Sequence, residues 1–268
     1  MADVRYLTQL KWQLVESLRR NGHDPVEEAG ESVGIERGRS PLLNFPSVDL
    51  SHAELVDANL SYANFSYANL SHANLIGANL TQANLRGADL SHANLIGTEL
   101  HQADLREADL TGAHLQRTDL SLALLMGAEL GNANLNGANL HQAELSHTHF
   151  CQAILHRAIL TQAHLCSAYL FGADLSGANL AGADLRWANL RKANLTDANL
   201  QGATLQSANL SGACLHRANL QGANLQGAIF AKATLTYANL HWANVENCYF
   251  HPASVQGVIW GDRPTSFR

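Results

Sequence analysis

The chain has 268 residues, 46% of them hydrophobic but only 6% aromatic and 15% charged; Ala, Leu and Asn fill the difference, a bias that points to internal repetition. A formal net charge of −6 and a pI near 6.1 exclude a nucleic-acid binder that works through a basic surface. No stretch approaches the roughly 18 consecutive apolar residues of a membrane span.

In chain order, the first predicted element is a helix. Val4, Leu7, Leu10, Leu14, Val15 and Leu18 form an apolar stripe at helical spacing, and Asn21-Gly22 ends it. Residues 1–22 therefore read as a helix that either caps the domain after it or docks a partner. Met1-Ala2-Asp3 opens without the basic region and apolar core of a secretory signal, so the expected location is cytoplasmic. Residues 23–47, with Pro25, several acids and Gly30, Gly34 and Gly38, read as a linker.

Residues 48–252 repeat a pentapeptide. From Leu50 to Phe250 every fifth residue is Leu, Phe or Val: 41 positions, 36 of them Leu, the others Phe65, Phe150, Phe230, Val245 and Phe250. Two residues earlier, from Ala53 to Cys248, Ala stands at 36 of 40 places, the exceptions being Thr98, Thr118, Thr148 and Cys248. The residue just before each of the 41 apolar positions is Asn 18 times and Asp 7 times. The unit is Ala-(Asn/Asp)-Leu-x-x, a period that fits neither an amphipathic helix nor a plain strand.

A second period lies above the first. Ser71–Leu90 and Ser91–Leu110 agree at 15 of 20 positions, whereas Ser71–Leu90 and Arg86–Leu105 agree at 9 of 20. Twenty residues per turn means four units per turn and a square coil. Ala and Leu, two apart, point to one side of an extended segment. With that side inward, each buried Leu contributes about 1.5–3 kcal/mol. Coils spaced by about 4.8 Å would give about ten coils and a rod of about 50 Å. Thirteen Gly at the second x position, among them Gly77, Gly97 and Gly177, suit corners that need positive φ.

Residues 253–268 read as a C-terminal cap or tail, in which the pattern decays through Val255, Val258, Ile259 and Trp260. Tyr249, Trp260 and Phe267 are candidates either to plug the last coil or to form a dimer seam. Four cysteines, Cys151, Cys166, Cys214 and Cys248, make no CxxC pair and no disulfide framework, which fits a reducing compartment.

The repeat resembles the pentapeptide-repeat family over Asp49 to about His251, roughly three quarters of the chain, through some forty tandem matches. The resemblance implies an all-β solenoid, a right-handed quadrilateral parallel β-helix. It also implies a bacterial and non-enzymatic protein; many relatives come from cyanobacteria, and a minority bind DNA gyrase as DNA mimics and protect it from quinolones.

Chemistry is sparse. No GxxxxGK, GxGxxG, HExxH or GxSxG occurs. The pairs Ser51-His52, Ser71-His72, Ser91-His92 and Ser146-His147 come with no residue to orient a base, and read as copied surface. His52, His72 and His92, 20 apart, predict an outward column; side chains stacked this way lack the tetrahedral arrangement zinc requires, so no metal and no cofactor is expected. Asn179, Asn199, Asn219 and Asn239 predict a ladder of amide hydrogen bonds.

Two surface features remain. Residues 49–144 hold 11 acids and three bases, residues 145–250 four acids and six bases. Asp89, Asp109 and Glu129, with Asp104 and Glu107, form a candidate acidic mimic surface. Leu124, Ile154, Ile159 and Tyr169 replace Asn or Asp at an outward position, and with Leu122, Met126 and Phe171 they form a candidate interaction surface. The expected function is a rigid, non-enzymatic scaffold for protein–protein interaction. Its expected partner is a protein, not nucleic acid or membrane, and its expected assembly is a homodimer through the C-terminal end. The alternative is a DNA mimic that binds DNA gyrase and modulates it or protects it from quinolones.

Overall fold

Where the five backbone N–H groups of one repeat go explains the architecture. Leu70 donates to Asp89 O at 2.7 Å and His72 to Ser91 O at 2.9 Å, both one coil ahead. Asn74 donates to Ala53 O, one coil behind, at 2.8 Å, and Ala73 closes a tight turn on Leu70 O at 3.0 Å. The fifth donor, Ser71 N–H, has no backbone partner and donates to Asn69 Oδ1 at 3.1 Å. The same local bond recurs along the rod, at Ser91 on Asp89, Thr111 on Asp109, Ser176 on Asp174 and His241 on Asn239. Asn and Asp dominate their position because a short side-chain acceptor there satisfies the one donor the ladder leaves over.

The computed structural model describes residues 43–250 and 253–261. The predicted helix at residues 1–22, linker residues 23–42 and Phe267 lie outside the described residues. Pairing is parallel with a constant register of 20 residues, from Asn44↔Asn64 to Thr234↔Ser254. It ends in two short paired strands, β1 (Asn239–Leu240) and β2 (Ile259–Trp260). Elsewhere each side of the square contributes a single bridged residue between turns, so the walls are columns of bridges rather than long strands. The four columns begin at Asn44, Asp49, Glu54 and Asn59, and these residues name the faces below. The coil runs past both expected boundaries. Asn44 is already bridged and Phe45 donates to Asn64 O, because residues 43–47 keep the repeat's hydrogen-bonding register; Ser254, Ile259 and Trp260 are paired for the same reason.

The axis is dry. From Leu50 to Leu240 the inward Leu, Phe and Ala side chains are 0–4% exposed, while Leu43, Phe45 and Val48 at one end, and Val245, Phe250, Val255 and Trp260 at the other, are half-buried against them. Phe45 stacks on Phe65, and Phe230 stacks on Phe250, which meets Trp260 edge-on. The exceptions to Ala explain themselves. Thr98, Thr118 and Thr148 donate their hydroxyls to Leu75 O, Leu95 O and Leu125 O at 2.7, 2.7 and 2.8 Å. Cys248 places its Sγ 2.9 Å from Leu225 O in the same geometry. A polar atom enters this core only where a carbonyl receives it.

Among the described residues the second corner residue has positive φ. Glycines such as Gly77 and Gly97 have φ of 66° and 67°, the sign a type II turn demands at that position. Non-glycine residues follow suit: Gln102 at 57°, Leu122 at 58° and Trp187 at 57°. The left-handed conformation costs about 1–2 kcal/mol for a residue with a Cβ, and the hydrogen bonds on either side of each corner hold it there.

Candidate interaction surfaces

With the interior uniform, any functional distinction lies on the faces and the four corners. The 20-residue register decides which outward residues are neighbours. Leu124 stands on the Asn44 face between Asp104 and Glu144, Tyr169 on the Asp49 face between His149 and Asn189, Ile154 on the Glu54 face, and Ile159 on the Asn59 face. The four wall candidates therefore stand one on each face, and Leu122, Met126 and Phe171 stand at corners. Three local groups survive. Ile154 and Ile159, 40% and 43% exposed, flank one corner. Tyr169, 44% exposed, stands two residues from Phe171, whose ring carries Lys192 Nζ at 5.5 Å and Arg191 Cζ at 6.0 Å. Leu122 and Met126 are exposed at the two corners beside Leu124, and Leu124 itself is half-buried.

The acidic candidates divide as well. Asp89, Asp109 and Glu129 are bridged in one column of the Asp49 face. Asp104 lies on the neighbouring face, where Arg106 donates to it from Nε at 2.8 Å and from Nη2 at 2.6 Å. Glu107 pairs with Arg86 at 2.8 Å, and Glu129 pairs with His149 Nδ1. Partial burial pushes the Asp104 carboxyl up, but the hydrogen bonds and charge of Arg106 outweigh it and leave the group below its ordinary value. Asp184 repeats the arrangement with Arg186. Glu144 is lowered too: burial raises it, and the Ser146 hydroxyl and His164 more than compensate.

Both predicted ladders are present. His52, His72 and His92 stack with ring centroids 4.9 and 5.2 Å apart. Asn199, Asn219 and Asn239 each donate to the Asn one coil behind, at 3.0, 3.1 and 3.2 Å. Among the described residues no cluster of His, Cys, Asp and Glu is arranged to hold a metal ion, and no helix is long and apolar enough to cross a membrane. Tyr249 stands on the outer wall above Ile229 and is 51% exposed, whereas Trp260 sits at the end of the axis against Phe250.

Sequence reading missed two features. His101–Ser121, His141–Thr161, His156–Ser176 and His216–Thr236 pair an imidazole Nδ1 with a hydroxyl one coil on, at 2.6–2.8 Å; the signal was a His followed by Ser or Thr 20 residues later. Large aromatics also occupy corners: Trp242, 73% exposed, together with Trp187, Tyr237, Tyr62 and Tyr67, visible as breaks in the Gly- and polar-rich second x position.

A family model for pentapeptide repeats matches in eight copies between residues 44 and 251. Among solved structures, HetL, a pentapeptide repeat protein involved in heterocyst differentiation regulation from the cyanobacterium Nostoc sp. strain PCC 7120, is 39% identical; 81% of this chain and 92% of that chain are covered, with a TM-score of 0.35. Rfr23 from the cyanobacterium Cyanothece 51142 is 38% identical over 39% of this chain and 60% of its own, with a TM-score of 0.27. QnrB1, a plasmid-mediated fluoroquinolone resistance protein, is 18% identical over 82% of this chain and 92% of its own, with a TM-score of 0.27. Among curated proteins none matches the chain significantly.

Proposed function

This chain belongs to the pentapeptide-repeat family, whose fold is a right-handed quadrilateral β-helix, and we propose that it is a non-enzymatic rigid scaffold that presents its outer walls to a protein partner. One observation carries the reading: the bridge register is unbroken from Asn44 to Trp260. A catalytic site needs polar groups converging in a concavity, and an uninterrupted square coil spends its residues on a filled axis and four flat walls. Sequence variation is confined to those walls and corners, the places where a partner is met.

The corner flanked by Ile154 and Ile159 is the contact we assign to that partner, because two half-exposed aliphatic side chains replace the Asn or Asp of neighbouring coils there. Full-length protein immobilised in lysate of the source organism should retain a defined protein, and the double variant Ile154→Asp/Ile159→Asp should lose at least about tenfold of it while melting at the wild-type temperature. Equal retention by both proteins would remove this corner from the interface, and substrate turnover by the purified chain would overturn the scaffold reading itself.

The DNA-mimic reading has one observation in its favour, the column Asp89–Asp109–Glu129, spaced about 4.8 Å per carboxylate. Against it, Asp104 and Glu107 are each paired with an arginine of the same chain, which reduces the field a mimic must project. A gyrase supercoiling assay with and without a quinolone separates the two readings: neither inhibition nor protection by micromolar protein leaves the scaffold alone.

A further inference from the structure

The charge asymmetry and the apolar break meet on one strip of the rod, the Asp49 face with the corner that leads from it to the Glu54 face. In the N-terminal half this strip carries Asp89, Asp109 and Glu129 in consecutive coils. In the C-terminal half the face continues as Asn189, Asn209 and Ile229, and its corner carries Arg191, Lys192 and Lys232, all in turns and the last two at φ of 57° and 59°. With Asp49 at the head of the same face, four acids at one end, beside the His52–His72–His92 column of its corner, are answered by three bases at the other.

The spacings match. Asp89 and Glu129 lie two coils apart, about 9.6 Å, and so do Lys192 and Lys232. Glu129 with Lys192, and Asp89 with Lys232, share one midpoint in the chain, between residues 160 and 161. Around that level on the same strip stand His149 and Tyr169, whose rings meet edge-on with centroids 4.6 Å apart, and then Phe171. A strip that is acidic at one end, basic at the other and aromatic at the centre is complementary to itself when turned end for end.

We propose that the protein pairs with a second copy of itself, side by side and antiparallel, through this strip. A two-fold axis at the level of residues 160–161 brings Glu129 of one copy level with Lys192 of the other, and Asp89 level with Lys232, each acid on the face reaching diagonally to the base at the adjoining corner. The same axis sets the His149–Tyr169 ring pair and Phe171 against their equivalents, as an isologous contact requires. The aromatic centre supplies the buried contact area and the flanking charges supply register and orientation. This pairing is independent of the Ile154–Ile159 corner and leaves both ends of the coil uncovered.

Sedimentation of the full chain tests it. Wild type should be dimeric at about 50 mM salt, with a dissociation constant that rises roughly tenfold or more towards 1 M, as the Debye length falls from above 10 Å to about 3 Å. Two charge-reversed variants, Asp89→Lys/Glu129→Lys and Lys192→Glu/Lys232→Glu, should each be monomeric at low salt, since each then carries like charges at both ends of the strip. All four positions are outward or at corners, and Glu107 already occupies the equivalent corner conformation at φ 61°, so circular dichroism should match wild type; Asp89→Lys also removes the acceptor of Ser91 N–H, so that variant should melt slightly lower while remaining folded. Mixed in equal amounts, the two variants should form a heterodimer, because the reversed strip of each complements the other. A monomeric wild type at low salt overturns the proposal. So does dimerisation of both variants alone, which would place association at the ends, and so does a mixture that stays monomeric.

Discussion

The axis and the corners of this rod are made from the same repeats, yet they obey different rules. At the inward position Leu, Phe and Val suffice for 41 consecutive repeats. At the second corner position, two residues on, Gly, His, Gln, Arg, Trp, Tyr, Asp and Leu all occur with the same positive φ. The inward side chain is dictated by its neighbours in the coils above and below, which leave room for a bulky apolar group and no charge. The corner backbone is held by hydrogen bonds on both sides, so even a conformation that favours glycine tolerates other side chains. The interior thus specifies the fold, and the corners are free to carry recognition.

The sharpest way to break this comparison is to put one charge in each place. Leu190 is fully buried and Arg157 is exposed at a corner. Leu190→Asp leaves an unpaired carboxylate in a dry core and should cost upwards of about 3 kcal/mol, enough to lower the melting temperature steeply. Arg157→Asp should stay within about 0.5 kcal/mol of wild type. Equal thermal shifts would mean that the inward and outward assignments carry no energetic weight.

Cysteines probe the same contrast chemically. Cys248 occupies an inward Ala position, where burial pushes its thiol up to about 11 from 9.0, while Cys151 is exposed at a corner. Only the thiolate reacts, so at pH 8 a shift of this size lowers the reactive fraction at Cys248 roughly 100-fold relative to an ordinary thiol. Labelling with an alkylating reagent and peptide mass mapping should show Cys151 modified first. Cys248 should gain on it only as pH approaches 11, and early modification of Cys248 at pH 8 would show that the C-terminal coil is open.

Much of this architecture is legible in the amino-acid sequence. The five-residue and 20-residue periods place the bridges, the buried column, the His52–His72–His92 stack and the Asn179–Asn239 ladder, because each follows from counting alone. The distribution of the apolar candidates over the walls follows from the same arithmetic. Positions 124, 154, 159 and 169 leave different remainders on a 20-residue period, and so they stand on different faces. The role of Asn and Asp was not legible, since nothing in the composition says that the first corner residue's N–H lacks a backbone acceptor. Nor were the non-glycine corners, because the preference of one residue for negative φ is outvoted by hydrogen bonds that only the closed coil makes.

A smaller effect sharpens what the core tolerates. Thr118 is fully buried and donates to Leu95 O at 2.7 Å. Thr118→Val keeps the shape and removes the donor; Leu95 O still accepts from Thr98 N–H at 3.1 Å, so the carbonyl is not orphaned. The expected loss is about 1 kcal/mol by chemical denaturation. A loss above about 3 kcal/mol would mean that the hydroxyl holds the coil together rather than merely being accommodated.

The smallest expected effect is on the outside, where acid pairs sit beside the coil without building it. Asp104 accepts two side-chain bonds and Asp184 three from an Arg two residues on, and both carboxyls lie below their ordinary value of 3.8 because those bonds and charges outweigh partial burial. A carboxyl lowered in the folded state stabilises the fold fully above its unfolded value, and the contribution disappears as pH falls through the folded value. Stability should therefore be flat from neutral pH to about 5 and decline below about 4. Both pairs are partly exposed, so solvent screening holds each to less than about 1 kcal/mol. The double variant Asp104→Asn/Asp184→Asn should lose little at pH 7 and show a shallower decline between about pH 4 and 2 than wild type. An acid limb of unchanged slope would assign the decline to other carboxylates, with Glu144, held low by Ser146 and His164 against partial burial, the next to test.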